Sequence, residues 1–69
     1  MWDYRVIRRD GNYYIHECFL DKQNKPSGIT KEPATVFSED VGNIEWVLKR
    51  MLAALELPYL DYEKFIGKD

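Results

Sequence analysis

Residues 41–57 (VGNIEWVLKRMLAALEL) are the one stretch long and periodic enough to predict a helix outright. A chain with a single helix must bury it on something else. Val41, Ile44, Leu48, Met51 and Leu55 follow one another at spacings of 3, 4, 3 and 4, a single stripe of a 3.6-residue helix. Leu52 and Val47 widen the stripe on either side. Seventeen residues make a rod of about 25 Å, enough to cross a sheet of three or four strands. Ser38 or Asp40 can cap its start, and Glu39 and Asp40 suit the positive end of the helix dipole. Pro58 stops it, because proline cannot continue the hydrogen-bond ladder. Gly42 costs about 1 kcal/mol against alanine, softened by its place in the first turn.

The other side of this helix gathers Trp46, Ala53 and Leu57, flanked by Lys49 and Arg50. A tryptophan on the outer face of a small domain requires a cover. One cover is the C-terminal tail, with Tyr59, Leu60, Tyr62, Phe65 and Ile66, folded back over it. The other is a second molecule, since Trp beside Arg is frequent hot-spot chemistry. Both stay open at this point. Trp46, Lys49, Arg50, Ala53 and Leu57 are the first candidate protein-interaction surface.

At 69 residues the chain makes one domain, expected over residues 1–66, with residues 67–69 as a disordered tail. Chains of this size bury only about 60% of their unfolded surface and are marginal alone. The usual supplements are disulfides, a metal or oligomerisation. Cys18 is the single cysteine, so an internal disulfide is excluded, and one His with one Cys argues against a structural zinc site. No metal and no cofactor is expected. A homodimer is the expected supplement. A net charge of −2 gives no general attraction to nucleic acid or to an anionic membrane. No run reaches the roughly 20 apolar residues of a membrane span. The opening MWDYRVIRRD lacks the uninterrupted apolar core of a secretory signal, and a reduced cytoplasmic setting is the expectation.

Ahead of the helix the chain reads as strands. Residues 2–9 (WDYRVIRR) alternate, with Trp2, Tyr4, Val6 and Arg8 on one side. Asp10-Gly11 is a hairpin turn signal, and residues 13–20 (YYIHECFL) return. A two-residue loop there sets Val6 opposite Ile15, Trp2 opposite Phe19 and Arg8 opposite Tyr13. A loop taking in Asn12 would slip the pairing by one and turn every side chain of one strand over. The Asp-Gly preference favours the first register. Residues 21–26 (DKQNKP) are a surface loop, residues 27–31 (SGITK) a third strand, and residues 34–37 (ATVF) a fourth strand or an extended lead into the helix. The fold expected is α+β: an antiparallel meander of three strands, or four, with one C-terminal helix packed on one face (β-β-β-α). The uncovered sheet face would carry Arg5, Ile7, Arg9, Tyr14, His16 and Cys18. Arg5, Arg9, Tyr14 and His16 form the second candidate surface.

The W-x-Y-R-V-I-R opening with Asp10-Gly11, then Tyr13 and Ile15-His16-Glu17, resembles a group of small bacterial and phage proteins of unassigned function. The helix end, with Met51-Leu52, Ala54-Leu55, Pro58 and Leu60-Asp61-Tyr62, is similar to the same group. The resemblance spans most of the chain outside residues 21–38 and implies no activity. Gly42, Trp46 and Val47 stand where similar sequences tend to be acidic. In architecture alone the β-β-β-α order is similar to HicB-type antitoxins, whose usual additional DNA-binding segment has no counterpart here.

His16-Glu17-Cys18 is the densest reactive cluster. On a strand His16 and Cys18 would lie about 7 Å apart. A Cys–His nucleophile needs hydrogen-bond reach and a third orienting group. A packed Cys18 and a surface or interface His16 explain the pair better. Glu17 shares the apolar face in the favoured register and needs Tyr4, Arg8 or a backbone donor as partner. Arg5, Arg8 and Arg9 with Tyr13 and Tyr14 could bind single-stranded nucleic acid by charge and stacking, but more often such residues are cross-strand pairs on a solvated sheet. There is no phosphate-binding glycine loop and no G-x-S-x-G nucleophile elbow. The expectation is a non-enzymatic protein-interaction module, regulatory or inhibitory. The alternative is a HicB-like antitoxin or nucleic-acid-associated module using Arg5, Arg8 and Arg9.

Overall fold

Asp10 and Gly11 have φ values of 54° and 80°, the two successive left-handed residues a type I′ turn demands. They join β1 (Trp2–Arg9) to β2 (Asn12–Leu20) in an antiparallel hairpin. Trp2 faces Phe19, Val6 faces Ile15 and Arg8 faces Tyr13, the register that a two-residue Asp-Gly loop imposes. The structure is a computed structural model describing residues 1–65. Ile66 and the expected disordered tail, residues 67–69, lie outside the described residues.

The loop after β2 is built on Asp21. Its carboxylate accepts from the amides of Gln23 and Lys25 at 2.8 and 3.0 Å, and Asn24 supplies the left-handed residue at φ 65°. β3 (Pro26–Ile29) then pairs antiparallel with β2, through a register shift at Phe19/Leu20. Residues 34–37 form no strand. The chain there only touches the sheet, with the Ala34 amide donating to the Ile15 carbonyl at 2.7 Å. Pro33, which has no amide hydrogen, interrupts the ladder just before it.

α1 (Val41–Ala53) follows, extended by a 3₁₀ turn over Ala54–Glu56. Asp40 caps it, accepting from the Gly42 amide at 3.2 Å. The helix is not C-terminal. Past Pro58 the chain drops to the sheet edge as β4 (Leu60–Asp61), pairing parallel with β1, and closes in a 3₁₀ turn over Tyr62–Lys64. The order across the sheet is β3-β2-β1-β4, so the fourth strand is the tail and the sheet is mixed, not an antiparallel meander.

Both faces of the sheet are covered. Alternation along β1 sends Tyr4 and Val6 to the helix, where they pack with Val47, Met51 and Ala54. It sends Ile7 the other way, into a second core with Cys18, Ile29 and Tyr62, bordered by Leu20, Leu60 and Phe65. The tail therefore folds back over the sheet face expected to be open, and not over Trp46.

The helix is also turned from the expected setting. Val47, Met51 and Ala54 reach the sheet, while Val41, Leu48, Leu52 and Leu55 are 87%, 49%, 66% and 64% exposed. The rotation is roughly 70°, less than one residue's step. Arg50 is its cause. Its guanidinium bonds the Asp3 carboxylate at 2.8 Å and lies over the rings of Trp2 and Tyr4, drawing the Arg50 side of the helix onto β1. Small Ala54 lets the backbone approach there.

Candidate functional site

The first candidate surface is organised by Arg50. This side chain sits between three aromatic rings, with its Cζ 4.7 Å from the Trp2 centroid, 5.5 Å from Tyr4 and 4.8 Å from Trp46. Trp2 and Tyr4 meet edge to face at 5.1 Å. A delocalised, weakly hydrated guanidinium is suited to such stacking. Trp46 is thus partly covered from within its own helix, by the residue one turn on. It keeps 53% of its surface exposed.

The other residues of that surface do not form one patch. Trp46 borders a shallow cleft of about 350 Å³ with Phe37, Ser38 and Asn43. Ala53 and Leu57 border a second, of about 280 Å³, on the far side of Arg50 near Asp3 and Tyr4. Lys49 pairs with Glu45 one turn before it at 3.0 Å, both side chains largely in solvent. Such exposed pairs contribute little.

The second candidate surface is largely taken up by the fold itself. The Arg9 guanidinium lies 4.1 Å over the Tyr62 ring. The Arg5 Nε donates to the Pro58 carbonyl at 3.2 Å. His16 is completely buried, whereas Tyr14 (37%) and the Arg9 side chain (42%) stay partly exposed and Arg5 is half-buried. Arg8, on the helix side of β1, is held by Asp61 at 2.9 Å and stacks on Tyr59 at 5.0 Å. Asp61 first, then Tyr59, holds its guanidinium still more firmly in the protonated form.

His16 and Cys18 do share a sheet face but form no nucleophile pair. The His16 Nδ1 donates to the Thr30 carbonyl at 2.9 Å, and its Nε2 has no partner among the described residues. Its ring is packed between Tyr14 and Tyr62. Cys18 is 1% exposed, and burial, reinforced by Asp3 and opposed by Arg5, pushes its thiol upward, away from the reactive thiolate. Glu17 is half-buried opposite Tyr4 and makes no side-chain hydrogen bond among the described residues. Among those residues no group of three or more His, Cys, Asp or Glu could hold a metal ion.

Much of the stripe expected in the core is instead on the surface. Val41, Leu48, Leu52 and Leu55 run along one side of α1 and its 3₁₀ extension, exposed among the described residues. Their spacing marks an apolar stripe but does not say whether the sheet or another surface meets it. No helix among the described residues is long and apolar enough to cross a membrane, so this stripe is not part of a helical span. Comparison with protein-family models, with curated proteins and with solved structures finds no match to this chain.

Proposed function

We propose that the chain is a small non-enzymatic protein-interaction module, regulatory or inhibitory in role, with α1 as its contact element. The observation that carries this is the exposed stripe Val41, Leu48, Leu52 and Leu55. Fully burying a Val or Leu side chain returns about 1.5–3 kcal/mol, so four that are half to nine-tenths exposed offer roughly 4–8 kcal/mol to whatever covers them. A domain of marginal size has reason to cover them. Trp46 and Phe37 border a separate cleft and lie outside this contact. A reduced cytoplasmic setting fits the free, buried Cys18.

An antitoxin-like or nucleic-acid-associated role built on Arg5, Arg8 and Arg9 has less support, because each is engaged within the fold. A photo-crosslinking residue at Leu52, expressed in a bacterial cell, tests the interaction reading. Protein adducts, with the chain itself or with another protein, should form at Leu52 well above those at Lys25 in the β2–β3 loop. Equal, background-level labelling at both positions would count against it.

A further inference from the structure

The exposed stripe of α1 has an internal symmetry that the sheet contact does not use. About Leu48, Val41 and Leu55 stand seven residues before and after, and Ile44 and Leu52 stand four before and after. An isologous contact between two copies requires this kind of arrangement, because each residue must meet its mirror position in the partner. We infer that the occupant of the stripe is a second copy of this chain, docked as an antiparallel helix pair with its two-fold axis at Leu48. The inference rests on the protein-interaction reading above and names its partner.

In that pairing Leu48 meets its own counterpart, Val41 meets Leu55 of the second copy, and half-buried Ile44 meets Leu52. All four exposed aliphatic residues are covered at once. Shifting the axis by one turn toward either end leaves Val41 or Leu55 without an apolar mate. Charge is compatible with this arrangement. Glu45 and Lys49 border the stripe on one side, already paired within the helix at 3.0 Å. The two-fold axis brings the same border of both helices together and sets Lys49 of each copy within about one turn of Glu45 in the other. Exposed Glu56 lies on the same border, but the two-fold axis sets it about 24 Å from its own counterpart, beyond the range of screened repulsion. Residues 3, 4, 6 and 50, which seat the helix on its own sheet, are not drawn on.

Light scattering on the full chain over a concentration series is the direct test. The expected result is twice the monomer mass at tens of micromolar and above. Leu48→Asp should weaken self-association by at least about a hundredfold, because it buries two unpaired carboxylates at the axis. Trp46→Ala should leave it unchanged. Leu48→Cys, in a Cys18→Ala background, reports without demanding that the aspartate variant fold. Mild oxidation should join two chains through position 48, whereas Lys25→Cys in the same background should not cross-link. A strict monomer at millimolar concentration, a dimer indifferent to Leu48→Asp, or no cross-link at position 48 would each overturn the inference. A strict monomer that still gives Leu52 adducts with a different protein would overturn the second-copy assignment and leave the interaction reading standing.

Discussion

The Arg50 guanidinium stacks on Trp46 at 4.8 Å while bonding Asp3 at 2.8 Å, so one side chain ties the outer tryptophan of α1 to the first strand. The contact joins residues 47 apart in the chain. It holds the Arg50 side of the helix against β1, in a setting that buries Val47 and Met51 and leaves Leu48 and Leu52 outside.

Arg50→Ala should therefore destabilise the fold by about 1–2 kcal/mol, from lost stacking on three rings and a lost ion pair. In a domain of this size that is a fall in Tm of roughly 4–16 °C. Arg50→Lys keeps the charge but not the planar stack and should recover less than half. Thermal unfolding followed by circular dichroism measures both. Full recovery by lysine would mean that the charge alone is at work and the stacking is incidental.

The Asp10-Gly11 turn gives a separable prediction. Gly11 sits at φ 80°, and a Cβ there would meet nothing within 4 Å. Gly11→Ala should cost about 1 kcal/mol through backbone conformation alone, without a clash. Asp10→Asn should be neutral or slightly stabilising, since Asn-Gly is the preferred pair in this turn. Urea midpoints would move accordingly while the slope with denaturant stays constant.

How much of this was legible beforehand follows from the range over which each feature is encoded. The hairpin register was readable because a two-residue turn and a period-two strand settle it locally. The start of α1 was readable from Asp40 and the apolar spacing after it, but its end, expected at Leu57, comes at Ala53, where the chain tightens to a 3₁₀ turn. The rotation of the helix was not readable. The best apolar stripe by count runs through Val41, Leu48 and Leu55, yet Val47, Met51 and Ala54 meet the sheet, beside the contact of Arg50 with Asp3 at the other end of the chain. The tail's destination was hidden for a different reason. β4 has only two residues, too few to show a period, and Tyr62 reads the same whether it covers Trp46 or Ile7. His16 reads as a surface residue because nothing local marks the face that Tyr62 closes.

Tyr62 should accordingly behave as a core residue contributed by the tail. Tyr62→Ala removes a ring packed on Ile7, Cys18 and Ile29 and stacked under Arg9. A cost of about 3–5 kcal/mol is expected, enough to leave so small a domain largely unfolded. Tyr62→Phe loses only the long 3.4 Å bond from the hydroxyl to the Lys31 carbonyl and should cost no more than about 1 kcal/mol. Chemical denaturation of the two variants side by side would show the contrast, and similar costs would refute the packing role.

Cys18 gives the fold an alkaline weakness. Its thiol is raised above the ordinary 9.0, chiefly by burial and also by Asp3, against Arg5. The unfolded chain therefore loses this proton first. The stability tied to the neutral thiol is full below the ordinary value and is lost as pH rises through the raised folded value. Stability should fall above about pH 9 more steeply in the wild type than in Cys18→Ala. Urea unfolding at pH 7, 8.5 and 10 measures the difference. At neutral pH the native thiol should react with a disulfide reagent far more slowly than the unfolded one.

The last prediction concerns a proton position. The Thr30 carbonyl can only accept, so in the neutral ring the 2.9 Å contact places the hydrogen of His16 on Nδ1 and leaves the lone pair on Nε2. That lone pair is buried between the rings of Tyr14 and Tyr62 and has no donor among the described residues. Long-range ¹H–¹⁵N spectra of the neutral protein should show a pyrrole-type Nδ1 and a pyridine-type Nε2. The reverse pattern would exclude the Thr30 bond. His16→Phe preserves a flat ring, relieves the orphaned Nε2 and leaves the Thr30 carbonyl without its donor. Its net cost should be about 1–3 kcal/mol if that carbonyl stays dry, and near zero if water reaches it. The urea midpoint of this one variant then reports how tightly Tyr62 and its 3₁₀ turn seal the second core.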